Sequence, residues 1–238
     1  MALAGVAAAA VERSEQIWTM TFGTDINGNN DYLVTCPGET KYAPTGVWDV
    51  NDLTGSDYVA TNGSDKRVHT QWNNGSGLAW DSNFEFEIVF TLADGFATNS
   101  KWPVLAELSG GNGSLRFGPY TEVNNAFYVD GSLDKNAVST PLTLTPGKHT
   151  ATVTVYEGTV TLKLDGVVAQ TGTLNENRTG NINNITLGGN SGGDYRMAEH
   201  VHSISAYTVV ATPAVPEPTT ATLSLLALAG LAARRRRK

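Results

Sequence analysis

The sequence predicts an all-β protein: an antiparallel two-sheet sandwich over residues 16–210, followed by one short C-terminal hydrophobic helix. Two kinds of observation carry this. Several runs alternate apolar and polar residues with period two, the mark of a strand with one buried face. Acid-glycine pairs stand between such runs, where a tight hairpin turn needs residues that accept positive φ. Nothing of helical period and useful length appears before Thr219.

Taken in order, residues 1–10 (MALAGVAAAA) are small and apolar and resemble the second half of a secretion signal. No Lys or Arg precedes Arg13, so the segment reads as a weak signal, as one whose start lies upstream, or as a plain Ala-rich beginning. Trp18, Met20 and Phe22 then alternate. Phe84–Leu92 (FEFEIVFTL) sets Phe84, Phe86, Ile88, Phe90 and Leu92 on one face, with Glu85, Glu87 and Thr91 on the other. Ala151, Val153 and Val155 line one strand, which turns at Glu157-Gly158. Val160, Leu162 and Leu164 line the next, which turns at Asp165-Gly166. Two sheets packed face to face would bury these rows together, with Trp18 and Trp80 among them.

Charge narrows the function. Residues 1–215 hold 11 basic against 22 acidic residues, and the last five residues hold the other 5 bases. A body so acidic, with no basic stripe, does not fit nucleic acid, whose phosphates need clustered Lys and Arg. Cys36 is the sole cysteine, so neither an internal disulfide nor a cysteine-based zinc site is available. The fold must stand on its core.

The run from Leu144 to Val168 (LTPGKHTATVTVYEGTVTLKLDGVV) resembles the central hairpin of laminin G-like and concanavalin A-like domains. Ile185-Thr-Leu-Gly-Gly189 resembles the strand end that precedes their closing strand, whose apolar and tyrosine positions match Val201, Ile204 and Tyr207. The resemblance is clear over 80–208 and looser over 16–79, and it implies a jelly-roll sandwich. Where such domains carry Trp after the Pro-Gly turn, this chain has Lys148-His149. Where they carry an acidic pair in the closing strand, it has His202-Ser203. The fold hosts lectins, glycosidases, adhesion modules and spacers, so it does not by itself assign a function.

Candidate chemistry is sparse. Glu85 and Glu87 lack the central acid of the glucanase pattern the family uses, and read as surface charges; no catalytic residue is assigned. A retaining or inverting pair contributed by separate strands remains the alternative. His200 and His202 share a strand face with no third ligand beside them, since Glu199 falls on the opposite one, and no metal site is assigned. Asp25–Asp31 (DINGNND) is rich in oxygen donors without the spacing of a calcium loop. No cofactor is expected, with calcium left open. Trp72, Asn73 and Asn74 combine an aromatic platform with amide hydrogen-bonding groups, the mixture that sugar sites use, and are the candidate glycan contact. Trp48 and Trp102 also lie in polar, turn-rich surroundings.

The C-terminus is the most specific feature. A Pro-rich linker, 211–218, ends in Pro216-Glu217-Pro218. An uncharged run, 219–233, follows, and then Arg234, Arg235, Arg236, Arg237 and Lys238 at 234–238. As a helix the run spans roughly 22 Å at about 1.5 Å per residue, short of the ~30 Å hydrocarbon core. The basic cluster belongs on the cytoplasmic side and places the sandwich outside. Motif, span and basic stop in this order resemble the PEP-CTERM sorting signal, which implies a membrane-embedded exosortase protease as partner. The resemblance also implies passage through the inner membrane to the cell surface or matrix. The expectation is therefore an exported, non-enzymatic surface protein that binds glycan or exopolysaccharide. The rival readings are a glycoside hydrolase and a purely structural surface component.

Overall fold

The computed structural model describes residues 10–27, 30–35, 46–48, 58–61, 68–71, 78–92, 94, 103–120, 126–131, 138–139, 144–174, 178–189, 197 and 199–212. Side chains are described for most of these, but not for residues 23–35, 46–48, 59–60, 68–71, 119–120, 126–131 and 138–139. Cys36, Trp102 and the expected sites at Trp72, Asn73, Asn74, Pro216, Glu217, Pro218 and Arg234–Arg237 lie outside the described residues, as does the expected helix at 219–233. So does part of the Asp25–Asp31 run.

All described regular structure is β. In chain order the strands are β1 (Ala10–Asn27), β2 (Asn30–Thr35), β3 (Gly46–Trp48), β4 (Val59–Ala60), β5 (Val68–Gln71) and β6 (Leu78–Ala79). Next come β7 (Phe84–Leu92), β8 (Ala106–Gly110), β9 (Gly113–Tyr120), β10 (Ala126–Gly131), β11 (Val138–Ser139) and β12 (Gly147–Tyr156). The last are β13 (Thr159–Leu164), β14 (Val167–Thr173), β15 (Asn181–Ile182), β16 (Asn184–Leu187) and β17 (His200–Thr212). One sheet runs β11-β14-β13-β12-β7-β17-β1-β2, with β4 also paired to β17. A second runs β10-β9-β8-β16-β5-β3, and β15 pairs with β6.

The alternation expected of β7 holds. Phe84, Phe86, Ile88, Phe90 and Leu92 are buried, and their antiparallel partners on β12, Val155, Val153 and Ala151, are buried beside them. Ile185, Leu187, Ala106, Leu108, Leu115 and Phe117 from the second sheet join the same hydrophobic cluster as Trp18, Met20 and Phe22 from β1. The two sheets thus share one core, as a sandwich requires. The turns are as expected: Glu157 and Gly158 have φ of 47° and 75°, and Asp165 and Gly166 have φ of 51° and 79°. Both are positive-φ pairs whose twist suits a two-residue hairpin.

Three features differ from the sequence reading. Strand β1 begins at Ala10 and β17 runs to Thr212, beyond the 16–210 limits. Trp48 ends a strand rather than sitting in a turn. Where the resemblance led to the expectation of a missing ring, His149 is buried, its imidazole bridging Asp165 Oδ2 (2.8 Å) and the Thr145 carbonyl (2.7 Å). The chain divides into two compact units. Residues 13–209 form the sandwich. Residues 1–12 with 210–238 form the other, within which the Thr212 hydroxyl donates to the Ala10 carbonyl at 2.9 Å.

Candidate functional site

The outward face of the second sheet carries an unbroken transverse row. By backbone register, Trp48 of β3 pairs with His69 of β5, His69 with Thr186 of β16, and Thr186 with Glu107 of β8. Glu107 in turn pairs with Arg116 of β9, and Arg116 with Asp130 of β10. Strand alternation explains the row: the adjacent row, Ile185, Leu108 and Leu115, is buried in the core, so this one lies on the opposite face. One step further along the strands a second outward row follows: Gly46, Gln71, Asn184, Ser109 and Ser114. Among its described side chains, one row thus collects both signs of charge and a hydroxyl. The other collects an amide and two hydroxyls.

Among the members with described side chains, Thr186 and Glu107 are 0% and 1% exposed although they face away from the core. Arg116 is partly exposed, and its Nε lies 3.4 Å from Glu107 Oε2. This buried carboxylate with a guanidinium beside it is a polar centre held in fixed geometry, because its two strands are joined by the tight Gly110–Gly113 connection. Sequence reading missed the row, since five separate strand pairings create it. One local signal was available: Glu107 and Arg116 are equidistant from Gly111-Asn112, so a hairpin there pairs them.

The other face of the sandwich disposes of the acid pair on β7. Arg13 Nε donates to Glu85 Oε1 (2.5 Å) and its Nη2 donates to Glu87 Oε2, while its Cζ lies 4.1 Å from the centre of the Tyr207 ring. The Thr154 hydroxyl donates to Glu85 Oε2 (2.5 Å). Desolvation works against the Arg13 charge, yet the bonds to Glu87 and Glu85 outweigh it and hold the guanidinium pKa above its ordinary value. Glu85 is therefore not the freely solvated surface charge expected; it is 8% exposed and tied down.

The histidine pair is likewise engaged. His200 stacks on Tyr58 (ring centroids 4.0 Å apart, 3° between planes), and His202 Nε2 meets Thr91 Oγ1 at 2.8 Å. Among the described residues, no group of three His, Cys, Asp or Glu stands close enough to hold a metal ion. No helix among them is long and apolar enough to cross a membrane. Trp72, Asn73 and Asn74 follow in sequence directly on Gln71, a member of the amide and hydroxyl row.

Comparison with known proteins separates the tail from the body. Residues 214–238 match the family model of the PEP-CTERM protein-sorting motif. The motif implies export, processing by an exosortase and a destination at the cell surface or outside it. A search of curated proteins finds no match. Solved structures similar to the chain include the receptor binding domain of botulinum neurotoxin D, with a TM-score of 0.52 and 13% identity over 82% of this chain and 49% of that one. Trypanosoma rangeli sialidase in complex with sialic acid gives a TM-score of 0.55 and 13% identity over 84% of this chain and 32% of that one. The chain thus spans about half of the first and a third of the second. At these identities the likeness is one of fold.

Proposed function

We propose that this is an exported surface protein whose sandwich is a non-catalytic glycan-binding module of the laminin G-like, concanavalin A-like kind. In this reading an exosortase releases it by cutting near Pro216-Glu217-Pro218, after the tail helix has held it in the inner membrane. The observation that supports the binding reading is the partly exposed Arg116 guanidinium, fixed beside the buried Glu107, with the half-buried Asn184, Ser109 and Ser114 on the same sheet face. Aromatic faces stack on the apolar faces of sugars, and amides and fixed charges take their hydroxyls. Trp72, Asn73 and Asn74, next in sequence after Gln71, would add the aromatic platform and further amides. No cofactor enters the reading. Calcium, if it contributed, would act through Asp25–Asp31. Solved structures of similar fold include a receptor binding domain and a complex with sialic acid, which supports such a use of the fold.

One observation favours a second reading. Glu107 and Asp130 occupy the same row two strands apart, about 10 Å between backbones at the usual strand spacing. Carboxylates contributed by separate strands in this way are what an inverting glycosidase needs, with room for a water between acid and base. The purified full-length chain, tested on a glycan array and for release of reducing sugar from mixed polysaccharides, separates the readings. Binding without turnover, weakened at least tenfold by Arg116→Gln, is the expected result. Turnover abolished by Glu107→Gln moves the protein to the second reading. Neither binding nor turnover leaves a structural surface component and removes both.

A further inference from the structure

At one end of the sandwich, β16 stops at Leu187 and the chain turns through Gly188, while β17 starts at His200. Thr61, just beyond β4, ties this seam together. Its N–H donates to the Glu199 carbonyl (2.9 Å) and its hydroxyl donates to the Met197 carbonyl (2.6 Å). The Glu199 N–H donates in return to Thr61 Oγ1 (3.1 Å). Met197 N–H donates to the Gly188 carbonyl (3.2 Å), and Gly188 N–H to that of Leu105 (2.9 Å). Gly188 leaves no slack: its φ is +69°, and a Cβ built on it would stand 2.5 Å from the Thr61 side chain. The Glu199 side chain is the exception to this pairing. It is 2% exposed, and among the described residues no hydrogen bond of ordinary geometry reaches Oε1 or Oε2.

We propose that Glu199 is a proton-dependent lock on this seam: the fold holds it as the neutral acid, and its ionisation loosens β4 and the start of β17 from the end of β16. An ionised carboxylate buried without a partner is far costlier than the neutral acid, so it must take a proton or leave. Burial pushes the Glu199 carboxyl well above the usual carboxylate range, and the Gly188 backbone offsets only part of that. No charge elsewhere in the described seam compensates. Thr61, Leu105, Gly188 and Met197 are uncharged. His200 and His202, with Tyr58 against them, lie on the half-buried side of β17, opposite Glu199 and Val201.

The direction of the effect follows from linkage. Below about pH 4.3, the ordinary glutamate value, folded and unfolded chains both carry the proton and the lock is closed at no cost. As pH rises towards the folded value, the unfolded chain releases a proton that the fold retains, so stability falls. The fall can reach tenfold in the folding constant per pH unit, and it ends above the folded pKa.

Thermal unfolding of the full-length chain, followed by near-UV circular dichroism from pH 4.5 to 9, tests this in wild type and Glu199→Gln. The variant keeps the shape of the acid and cannot ionise. It is expected to match wild type at pH 4.5 and to unfold several degrees higher at pH 8, the gap widening with pH. A constant or absent gap overturns the proposal. A carbonyl NMR titration of Glu199 reads the same proton directly, even if the variant folds poorly. A midpoint within the ordinary carboxylate range likewise overturns it.

Discussion

Arg13 shows how one side chain can decide what a pair of acids does. Glu85 and Glu87 sit two residues apart on the outward face of β7, which in sequence looks like exposed charge and at most a defective catalytic pair. A guanidinium in reach of both converts them into a clamp, because its planar fork donates to two carboxylates while its flat face covers Tyr207. The β1 strand is thereby tied across β17 to β7. Arg13 is more than a third exposed, so screening by water limits its value. What raises it is the burial of Glu85, which would be left with the Thr154 hydroxyl alone. Arg13→Ala should therefore cost about 1–2 kcal/mol, between an exposed ion pair and a deserted buried acceptor. Arg13→Lys, keeping charge but losing the fork, should recover only part. Urea midpoints of the two variants, at unchanged slope, measure this. A loss below about 0.5 kcal/mol for Arg13→Ala would show that solvent already satisfies Glu85.

At the level of elements, the β12–β13 hairpin is where local sequence and final structure agree most closely, apart from one residue. Glu157 adopts φ of 47° at the first turn position, a conformation a side chain with an ordinary Cβ enters only at a cost of roughly 1–2 kcal/mol. Its N–H is held by Asn83 Oδ1 at 2.8 Å, a bond that does not depend on the glutamate side chain. Glu157→Asn would give the turn its preferred Asn-Gly pair and should stabilise the protein by about 0.5–1 kcal/mol, read as a higher urea midpoint. No gain would mean that the exposed glutamate has a compensating role. This hairpin, the inward faces of β7, β12 and β13, and the burial of Trp18 and Trp80 were legible because period two and turn chemistry are local. The neighbours of β7 were not: it lies between β12 and β17, pairings fixed by the packing of distant strands. For the same reason Trp48, His69, Glu107, Arg116 and Asp130 gave no signal as a group. The early start of β1 was hidden by its polar residues, Glu12 to Gln16, of which Arg13 reaches the acids of β7 rather than the core.

For the whole molecule, body and tail became legible by different routes. The sorting signal is linear: Pro216-Glu217-Pro218, an uncharged run and five terminal bases can be read without any fold, and the family match covers them. The juxtaposition of Glu107 and Arg116 is written only in the folded body. As a helix, a run of 15 uncharged residues would span roughly 22 Å, too short to be at ease across a ~30 Å hydrocarbon core, while the basic cluster would set its orientation. Both properties suit a transient stop that presents the motif to a membrane protease and is then discarded. The acidic body, free of a basic stripe, has no electrostatic attraction of its own to an anionic membrane surface and should leave it once cut. Changing Pro216-Glu217-Pro218 to alanines should therefore leave uncut precursor in the membrane, and changing Arg234–Arg237 to serines should let the tail slip or invert. Intact-mass analysis of protein recovered from the native cell surface decides the matter. The expected mass ends within the linker; material that still carries Leu231 to Lys238 would identify the segment as a permanent anchor and end the case for processing.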